Sequence, residues 1–255
     1  MLAAMLLIAA ALAEELDTAL NLCSRRKKVP GAGVPLWTAV RGKESLHFLK
    51  LGVGPARSAD RLQRALARLK PTSILTIGYG GALDPALKQG ELVVVERADL
   101  LREEFWDDPG QEIHPGPGWP LAGSGELCAA AQAAGLPLRR GTGLTSSHVV
   151  GTPEAKQVLF RKFHAAVVDM ETAVLARIAA AAAIPLCCVR AVSDEACDDF
   201  LAFLSPGPSA GPWQRAVRTL KAGNWLHRYS QWRERSEAAR RSLRQFMAWY
   251  LDSRM

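Results

Sequence analysis

The sequence predicts an α/β fold in which helices cover both faces of a central sheet. Strand-like and helix-like segments alternate along residues 1–204, which is typical of this fold class. Several of the strand-like segments are uninterrupted apolar runs, as expected for strands that are covered on both faces. The chain has 255 residues, of which 49% are hydrophobic and 22% charged. It is therefore long enough for a sizeable core, and its composition is globular rather than disordered.

The strands and helices are predicted from the periodicity of apolar residues. Seven strands are expected at Leu6–Ala10, Leu46–Leu51, Ser73–Gly78, Glu91–Glu96, Arg139–Leu144, Ala165–Val168 and Leu186–Val192. Five helices are expected at Ala13–Cys23, Ala59–Leu69, Gly125–Ala134, Pro153–Lys162 and Glu171–Ala183. The segment Asp107–Gly123 is rich in Pro and Gly and is expected to be a long loop, either disordered or a functional lid.

The apolar N-terminal segment Met1–Ala13 admits two interpretations. Ala11-Leu12-Ala13 is similar to a signal-peptidase cleavage site, but no Lys or Arg precedes the apolar stretch. We therefore expect a buried first strand that leads into a helix. The five cysteines contain no CxxC pair, which favours a reduced, cytoplasmic protein with no disulfide framework and no zinc site. No apolar run reaches the length of a membrane span.

The net charge of +7 is concentrated at the C-terminus. Residues 205–255 contain ten basic and three acidic residues, a surplus of seven that equals the charge of the whole chain, so residues 1–204 are neutral. The neutral part is not a general polyanion binder. The Pro- and Gly-rich segment 205–212 separates the two parts, so we predict a body at residues 1–204 and a basic, Trp-rich helical tail at residues 205–255.

The tail has two helical stripes of apolar residues, with arginines on much of the opposite face. The stripes comprise Trp213, Val217 and Leu220, and then Trp232, Ala239, Leu243, Phe246 and Tyr250. One interpretation is a pair of helices docked on the body or on a second subunit. The other is an interfacial helix that makes peripheral contact with anionic lipid. The tail contains no nucleic-acid-binding motif, and no nucleic-acid partner is expected.

Two glycine-rich segments follow predicted strands. Gly52-Val53-Gly54 lacks the third glycine of a dinucleotide fingerprint, since Arg57 occupies that position, and no cofactor is expected. The segment Gly78–Pro85 is predicted to be a turn. Its small residues allow the backbone to approach a ligand closely, although a tight turn without a ligand fits equally well.

Three carboxylates lie just beyond predicted strands: Glu15, Glu171 and Asp194. Taken singly, Asp194 is explained as a helix N-cap and the two glutamates as first-turn residues that favour the helix dipole. Taken together, they converge, because strand ends in a parallel sheet lie on one edge. Two carboxyl groups in different environments can divide the roles of acid and base.

The segments Val167–Ala173 and Val189–Asp194 resemble the paired signatures of the nucleoside phosphorylase and nucleosidase superfamily. Gly78–Pro85 and Gly90–Val94 are similar to its glycine-rich turn and next strand. Ala11–Leu16 is similar to the first strand–helix junction of methylthioadenosine/adenosylhomocysteine nucleosidases. The resemblance covers about residues 5–204. It implies a three-layer α/β/α sandwich with a mixed central sheet, a nucleoside substrate, no metal, and a homodimer or higher homo-oligomer.

The resemblance also implies a role for each matching residue. Asp194 would be the general acid that protonates the purine at N7, and Glu15 would orient or deprotonate the attacking water. Glu171 would hold the ribose hydroxyls, with Met170 against the sugar. The base would be framed by the loop of Ser147, His148, Val149 and Val150. The other expected substrate-binding residues are Tyr79, Gly80, Gly81 and Ser193.

The nucleophile is predicted to be water rather than phosphate. Hexameric phosphorylases of this superfamily carry a Gly-Asp-Pro-x-x-Arg clamp after the first strand, whereas this chain has no arginine in Ala9–Glu15. A carboxylate there would repel phosphate. The arginine that these enzymes place just before the glycine-rich turn is also missing. Tyr79 stands where the methylthioadenosine enzymes have a serine, which leaves the 5′ substituent open.

The sequence is therefore compatible with three functions. The first is hydrolysis of a 5′-substituted adenine nucleoside, and the substrate could be an adenosyl-hopane, because an arginine-rich extension and the Gly81–Pro85 turn are also similar to the hopanoid-biosynthesis branch. The second is a phosphate-dependent nucleoside phosphorylase. The third is a non-catalytic nucleoside-binding or membrane-associated interaction protein.

Overall fold

A computed structural model describes residues 5–101, 115–199 and 236–254. The strands in these ranges are β1 (Leu6–Ala10), β2 (Ser24–Lys28), β3 (Leu36–Arg41), β4 (Glu44–Lys50), β5 (Ser73–Ala82), β6 (Leu92–Leu101), β7 (Pro115–Pro120), β8 (Leu138–Thr145), β9 (Val167–Asp169) and β10 (Leu186–Asp194). The helices are α1 (Ala13–Leu20), α2 (Pro55–Arg68), α3 (Ser124–Ala133), α4 (Pro153–Phe163), α5 (Thr172–Ala181) and α6 (Glu237–Asp252).

All ten strands belong to one mixed sheet. Strand β1 lies between β4 and β5 and is parallel to both. Strand β10 pairs in parallel with β5 and antiparallel with β6, while β8 and β9 connect β6 back to β5. The strands β5, β10, β6, β8 and β9 therefore close into a ring, and β4, β3 and β2 extend the sheet on the other side.

Helices pack on both faces of the sheet, as the sequence predicts. Helices α2 and α5 cover one face, where their apolar residues meet Leu7 of β1 and Ile74 of β5. Helices α1, α3 and α6 cover the other face, where they meet Ile8 and Leu75. Consecutive strand residues alternate between the two faces. Because both faces of the sheet are covered by helices, successive residues of a central strand are both buried. This explains why these strands are uninterrupted apolar runs in the sequence.

Every strand and helix predicted from the sequence is present, but two strands run well past their predicted ends. Strand β6 continues to Leu101 instead of ending at Glu96. Strand β5 continues through Ala82, so the segment from Gly78 to Ala82 is strand and not turn. Its pairing with β10 and β9 supplies the backbone hydrogen bonds that extend it past the glycines. The buried first strand is confirmed, since all five residues of β1 are buried in the middle of the sheet.

Three strands were not predicted, and the physical reason is plain for β2 and β7. Strand β2 is Ser-Arg-Arg-Lys-Lys, fully exposed at the sheet edge, so it has no apolar pattern. Strand β3 lies beside it. Strand β7 contains prolines and glycines and pairs with β6 from within the predicted loop. Residues 107–114 of that loop, and the predicted linker at 205–212, lie outside the described residues.

The C-terminal helix α6 is docked on the body. Its apolar side is buried against α1, β10 and their neighbours through Ala239, Leu243, Phe246, Met247 and Leu251. Two ion pairs hold its end, Arg41–Asp252 at 2.6 Å and Arg254–Glu44 at 2.7 Å. Of the predicted tail stripes, Trp213, Val217, Leu220 and Trp232 lie outside the described residues. No helix in the described ranges is long and apolar enough to cross a membrane.

We predict that Phe246→Ala lowers the free energy of unfolding by about 3–5 kcal/mol, because it empties a fully buried site between α6 and the sheet. The measurement is urea denaturation followed by far-UV circular dichroism. The control is Gln245→Ala, which changes an exposed residue of the same helix and is expected to shift stability by no more than about 0.5 kcal/mol. Equal stability of the two variants would show that α6 is not docked in solution.

Candidate functional site

A cavity of about 210 Å³ opens where strands β1, β5, β9 and β10 end. It is lined by eleven of the twelve site residues predicted from the sequence, namely Glu15, Tyr79, Gly80, Gly81, His148, Val149, Val150, Met170, Glu171, Ser193 and Asp194. The twelfth, Ser147, does not line the cavity, and its Oγ lies 2.9 Å from Nδ1 of His148. The sheet topology thus brings together residues that are scattered over the chain.

Glu15 lies in the first turn of helix α1 and also lines the cavity. Its Oε2 accepts a 2.7 Å hydrogen bond from the Leu12 N–H that precedes the helix. Its Oε1 accepts a 2.8 Å hydrogen bond from the N–H of Tyr79 on β5. Burial raises the pKa of Glu15 to about 7, against these hydrogen bonds and the nearby charge of Arg190. A carboxylate with that pKa can accept a proton near neutrality.

Glu171 lies at the start of α5, and its Oε1 accepts a 2.8 Å hydrogen bond from the N–H of Gly54. Gly54 has a φ of +95°, a backbone conformation that favours glycine. The segment Gly52-Val53-Gly54 therefore serves to position this carboxylate. Burial and the neighbouring charge of Asp169 raise the pKa of Glu171 to about 7, while Arg190 opposes the shift.

A buried ion pair that the sequence reasoning missed lies beside these glutamates. Arg190 Nε donates to Asp169 Oδ2 at 2.7 Å, and both side chains are 3% exposed. Asp169 Oδ1 also accepts from the Thr145 hydroxyl at 2.8 Å and from the N–H groups of Glu171 and Thr172. Burial opposes ionisation of Asp169, but the Arg190 charge and these hydrogen bonds outweigh it and lower its pKa.

Asp194 ends strand β10, and each of its carboxylate oxygens accepts a hydrogen bond. Ser193 Oγ donates to Oδ1 at 2.6 Å, and Lys156 Nζ donates to Oδ2 at 2.5 Å. The N-cap explanation for Asp194 is wrong, because residues 195–199 contain no helix. The sequence reasoning missed Lys156. The available signal was a lysine on the apolar side of helix α4, three residues before the buried Leu159.

The glycines of β5 make room for these side chains. A Cβ on Gly81 would lie 3.0 Å from Asp194 Oδ2, and one on Gly78 would overlap the Arg190 guanidinium. The expected close approach at this segment therefore occurs between the strand and charged side chains of the protein itself. Larger residues at either position would displace a carboxylate or its counter-charge.

The cavity has a strongly acidic lining. Four carboxylates line it, those of Glu15, Asp169, Glu171 and Asp194, and no Lys or Arg is among its described lining residues. Apolar side chains, including Val53, Val150 and Met170, complete the wall. Such a lining suits an uncharged, hydroxyl-bearing ligand better than an anion.

Comparison with known proteins gives a family and a fold. The family model described as the phosphorylase superfamily matches residues 5–208. A Helicobacter pylori 5′-methylthioadenosine nucleosidase variant, solved with 5′-methylthioadenosine in its active site, is 18% identical over 100% of both chains, with a TM-score of 0.73. Futalosine hydrolase of the same organism is 19% identical over 96% of this chain and 97% of its own, with a TM-score of 0.70.

A third similar structure is a nucleosidase from Francisella philomiragia, described as a putative 5′-methylthioadenosine/S-adenosylhomocysteine nucleosidase. It is 17% identical over 98% of this chain and 99% of its own, with a TM-score of 0.72. At these identities the likeness establishes a common fold, and it confirms the predicted fold class.

We predict that stability falls as the pH rises from about 5 to about 8, and that Glu15→Gln removes part of this fall. The folded pKa of Glu15 is raised from 4.5 to about 7. The stability that this carboxyl contributes is therefore full below the unfolded pKa and is lost as the pH rises through about 7. Gln cannot ionise, so the fall should shrink by about 1–3 kcal/mol in urea denaturation at the two pH values.

The matched control is Asp17→Asn, an exposed residue of the same helix α1. It should leave the pH dependence of the wild type unchanged. An identical fall in Glu15→Gln and in the wild type would contradict the raised pKa.

Proposed function

The chain belongs to the phosphorylase superfamily and is therefore a glycosyl-bond-cleaving enzyme; we propose that it hydrolyses the N-glycosidic bond of a purine nucleoside carrying a substituent at the 5′ carbon. The observation that supports this proposal is the convergence of Glu15, Glu171 and Asp194 on one cavity. Cleavage of such a bond needs an acid at the leaving base and a base for the nucleophile, and these carboxylates supply both.

Asp194 is the proposed general acid. As the bond between C1′ and the base breaks, its electron pair moves to the purine, and N7 of the purine takes the proton of the Asp194 carboxyl group. The sugar is left with oxocarbenium character and Asp194 is left as a carboxylate. Ser193 fixes the orientation of the carboxyl group through its 2.6 Å hydrogen bond. Protonation matters because the neutral base is a far better leaving group than its anion.

Glu15 is the proposed base that takes a proton from water as the water attacks C1′. Its raised pKa makes it a stronger base than an ordinary glutamate, and the N–H groups of Leu12 and Tyr79 hold its oxygens in place. Glu171 is proposed to accept hydrogen bonds from the ribose hydroxyls, and Met170 to pack against the sugar.

Water is a better nucleophile for this cavity than phosphate. The carboxylates of Glu15, Asp169 and Glu171 would repel a phosphate dianion, and no described lysine or arginine lines the cavity to offset them. Arg190, which is close to the glutamates, is already paired with Asp169. This charge distribution favours hydrolysis over phosphorolysis.

Adenine is the proposed base, since one similar structure holds 5′-methylthioadenosine. The apolar wall of Val53, Val150 and Met170 fits an uncharged 5′ substituent. A lipid-linked substrate such as adenosyl-hopane is a second candidate, motivated by the basic, Trp-rich tail. The apolar side of α6 is buried against the body and so is not available to lipid.

We predict that Asp194→Asn lowers kcat for adenine release by about 10²–10⁴-fold, because the amide cannot donate the proton that the leaving base needs. Adenine release is measured by liquid chromatography, and far-UV circular dichroism verifies the fold. Asp199→Asn, an exposed neighbour, is the matched control and should retain full activity. Turnover by Asp194→Asn at the wild-type rate would end the assignment.

The nucleophile and substrate are tested by assaying 5′-methylthioadenosine, adenosine and a nucleoside with a 5′ lipid chain, each with and without phosphate. We expect adenine release without phosphate, with ribose or the 5-substituted ribose as the second product. An absolute phosphate requirement, with a sugar 1-phosphate as product, would establish a phosphorylase instead. Binding in thermal-shift assays without turnover on any substrate would establish a nucleoside-binding protein.

A further inference from the structure

Lys156 is a charged residue in a fully buried position. The residue lies on helix α4 and its side chain is 0% exposed. Lysines are almost never fully buried unless they are paired. A buried ion pair contributes little to stability compared with apolar residues of similar volume. The position of this ammonium group therefore calls for an explanation beyond folding.

The surroundings of Lys156 satisfy all three of its ammonium hydrogens. Nζ donates to Asp194 Oδ2 at 2.5 Å, to the Glu195 carbonyl at 2.7 Å and to the Asp198 carbonyl at 3.2 Å. Lys156 is not among the residues that line the cavity. It touches the proposed general acid from the protein side, so it can act on a substrate only through Asp194.

The backbone around Asp194 also has supports other than Lys156. Gln89 Nε2 donates to the Ser193 carbonyl at 2.9 Å, and Lys88 pairs with the Glu195 carboxylate at 2.9 Å. These contacts hold the end of β10 to the segment before β6. Besides its two contacts with backbone carbonyls, Lys156 adds a hydrogen bond to the Asp194 side chain and a positive charge beside it.

We propose that Lys156 is a positioning residue for proton transfer to the leaving base. This inference rests on the proposed function. When the Asp194 carboxyl group gives its proton to the purine, a carboxylate remains in a cavity that already holds three other carboxylates. The buried ammonium group stabilises that new charge as it develops, without any rearrangement, and keeps Oδ2 in place during the transfer.

The test compares Lys156→Met with the wild type on two substrates. One is the adenine nucleoside that the wild type cleaves, and the other is p-nitrophenyl β-D-ribofuranoside, whose leaving group departs without a proton. We expect kcat for the adenine nucleoside to fall by about 10–100-fold, with KM changed by no more than about threefold. We expect turnover of the nitrophenyl riboside to stay within about threefold of the wild type. Lys162→Met, an exposed lysine of the same helix, is the matched control and should retain both activities.

An equal loss on both substrates would show that Lys156 only maintains the structure, and unchanged adenine release would show that it plays no part in the transfer. Either result overturns the inference. The proposed function fails separately, if the wild type releases no adenine or Asp194→Asn retains full turnover.

A second variant keeps the test decisive if Lys156→Met does not fold. The double variant Lys156→Met/Asp194→Asn removes both charges, so no uncompensated carboxylate is buried. If Lys156 acts through Asp194, the double variant has the residual kcat of Asp194→Asn alone. A further loss of about tenfold or more in a folded double variant would show that Lys156 acts independently, which contradicts the proposal.

Discussion

The buried guanidinium of Arg190 is the interaction on which the acidic site depends. Its pairing with Asp169 places a positive charge next to Glu15 and Glu171, where it lowers the pKa of each against the effect of burial. Without that charge, the carboxylates of the cavity would repel one another in a poorly solvated space. The register of β10 on β5 places Arg190 opposite Gly78, the one residue type that leaves room for the guanidinium.

A second constraint is that Glu15 and Glu171 also accept hydrogen bonds from backbone N–H groups at helix starts. Glu15 accepts the N–H that begins α1, and Glu171 receives the N–H of Gly54 ahead of α2. The same hydrogen bonds that satisfy backbone N–H groups at the starts of α1 and α2 therefore aim the carboxylates at the cavity. The simple explanation of Glu15 as a helix-start residue is consequently correct, and it is compatible with the chemical role.

Two buried cations, Arg190 and Lys156, pair with carboxylates in different parts of the site. Arg190 serves the glutamates and Asp169, where the sugar and water are proposed to bind. Lys156 serves Asp194, where the base is proposed to bind. Each charge lies behind its carboxylate and is absent from the described cavity wall. This arrangement leaves the wall acidic and apolar while compensating charge within the protein.

The sequence by itself determined the fold class, the twelve elements with strong apolar periodicity and the three carboxylates at strand ends. It could do so because burial on two faces of a sheet imposes apolar runs, and because strand ends in an α/β fold gather on one edge. It did not reveal the exposed edge strand β2 or the extension of β5 through its glycines, and it left open whether the tail docks on the body or contacts lipid. Those depend on neighbours in space.

Only the tertiary structure decided the partners of the charged residues. Lys156 and Asp194 are separated by 38 residues, Tyr79 and Glu15 by 64, and Gly54 and Glu171 by 117. Apolar periodicity assigns a residue to a helix or a strand, but it carries no information on which distant group a charge meets. The raised pKa values and the buried ammonium beside the proposed acid arise from those meetings, because burial and charge pairing are properties of the assembled fold.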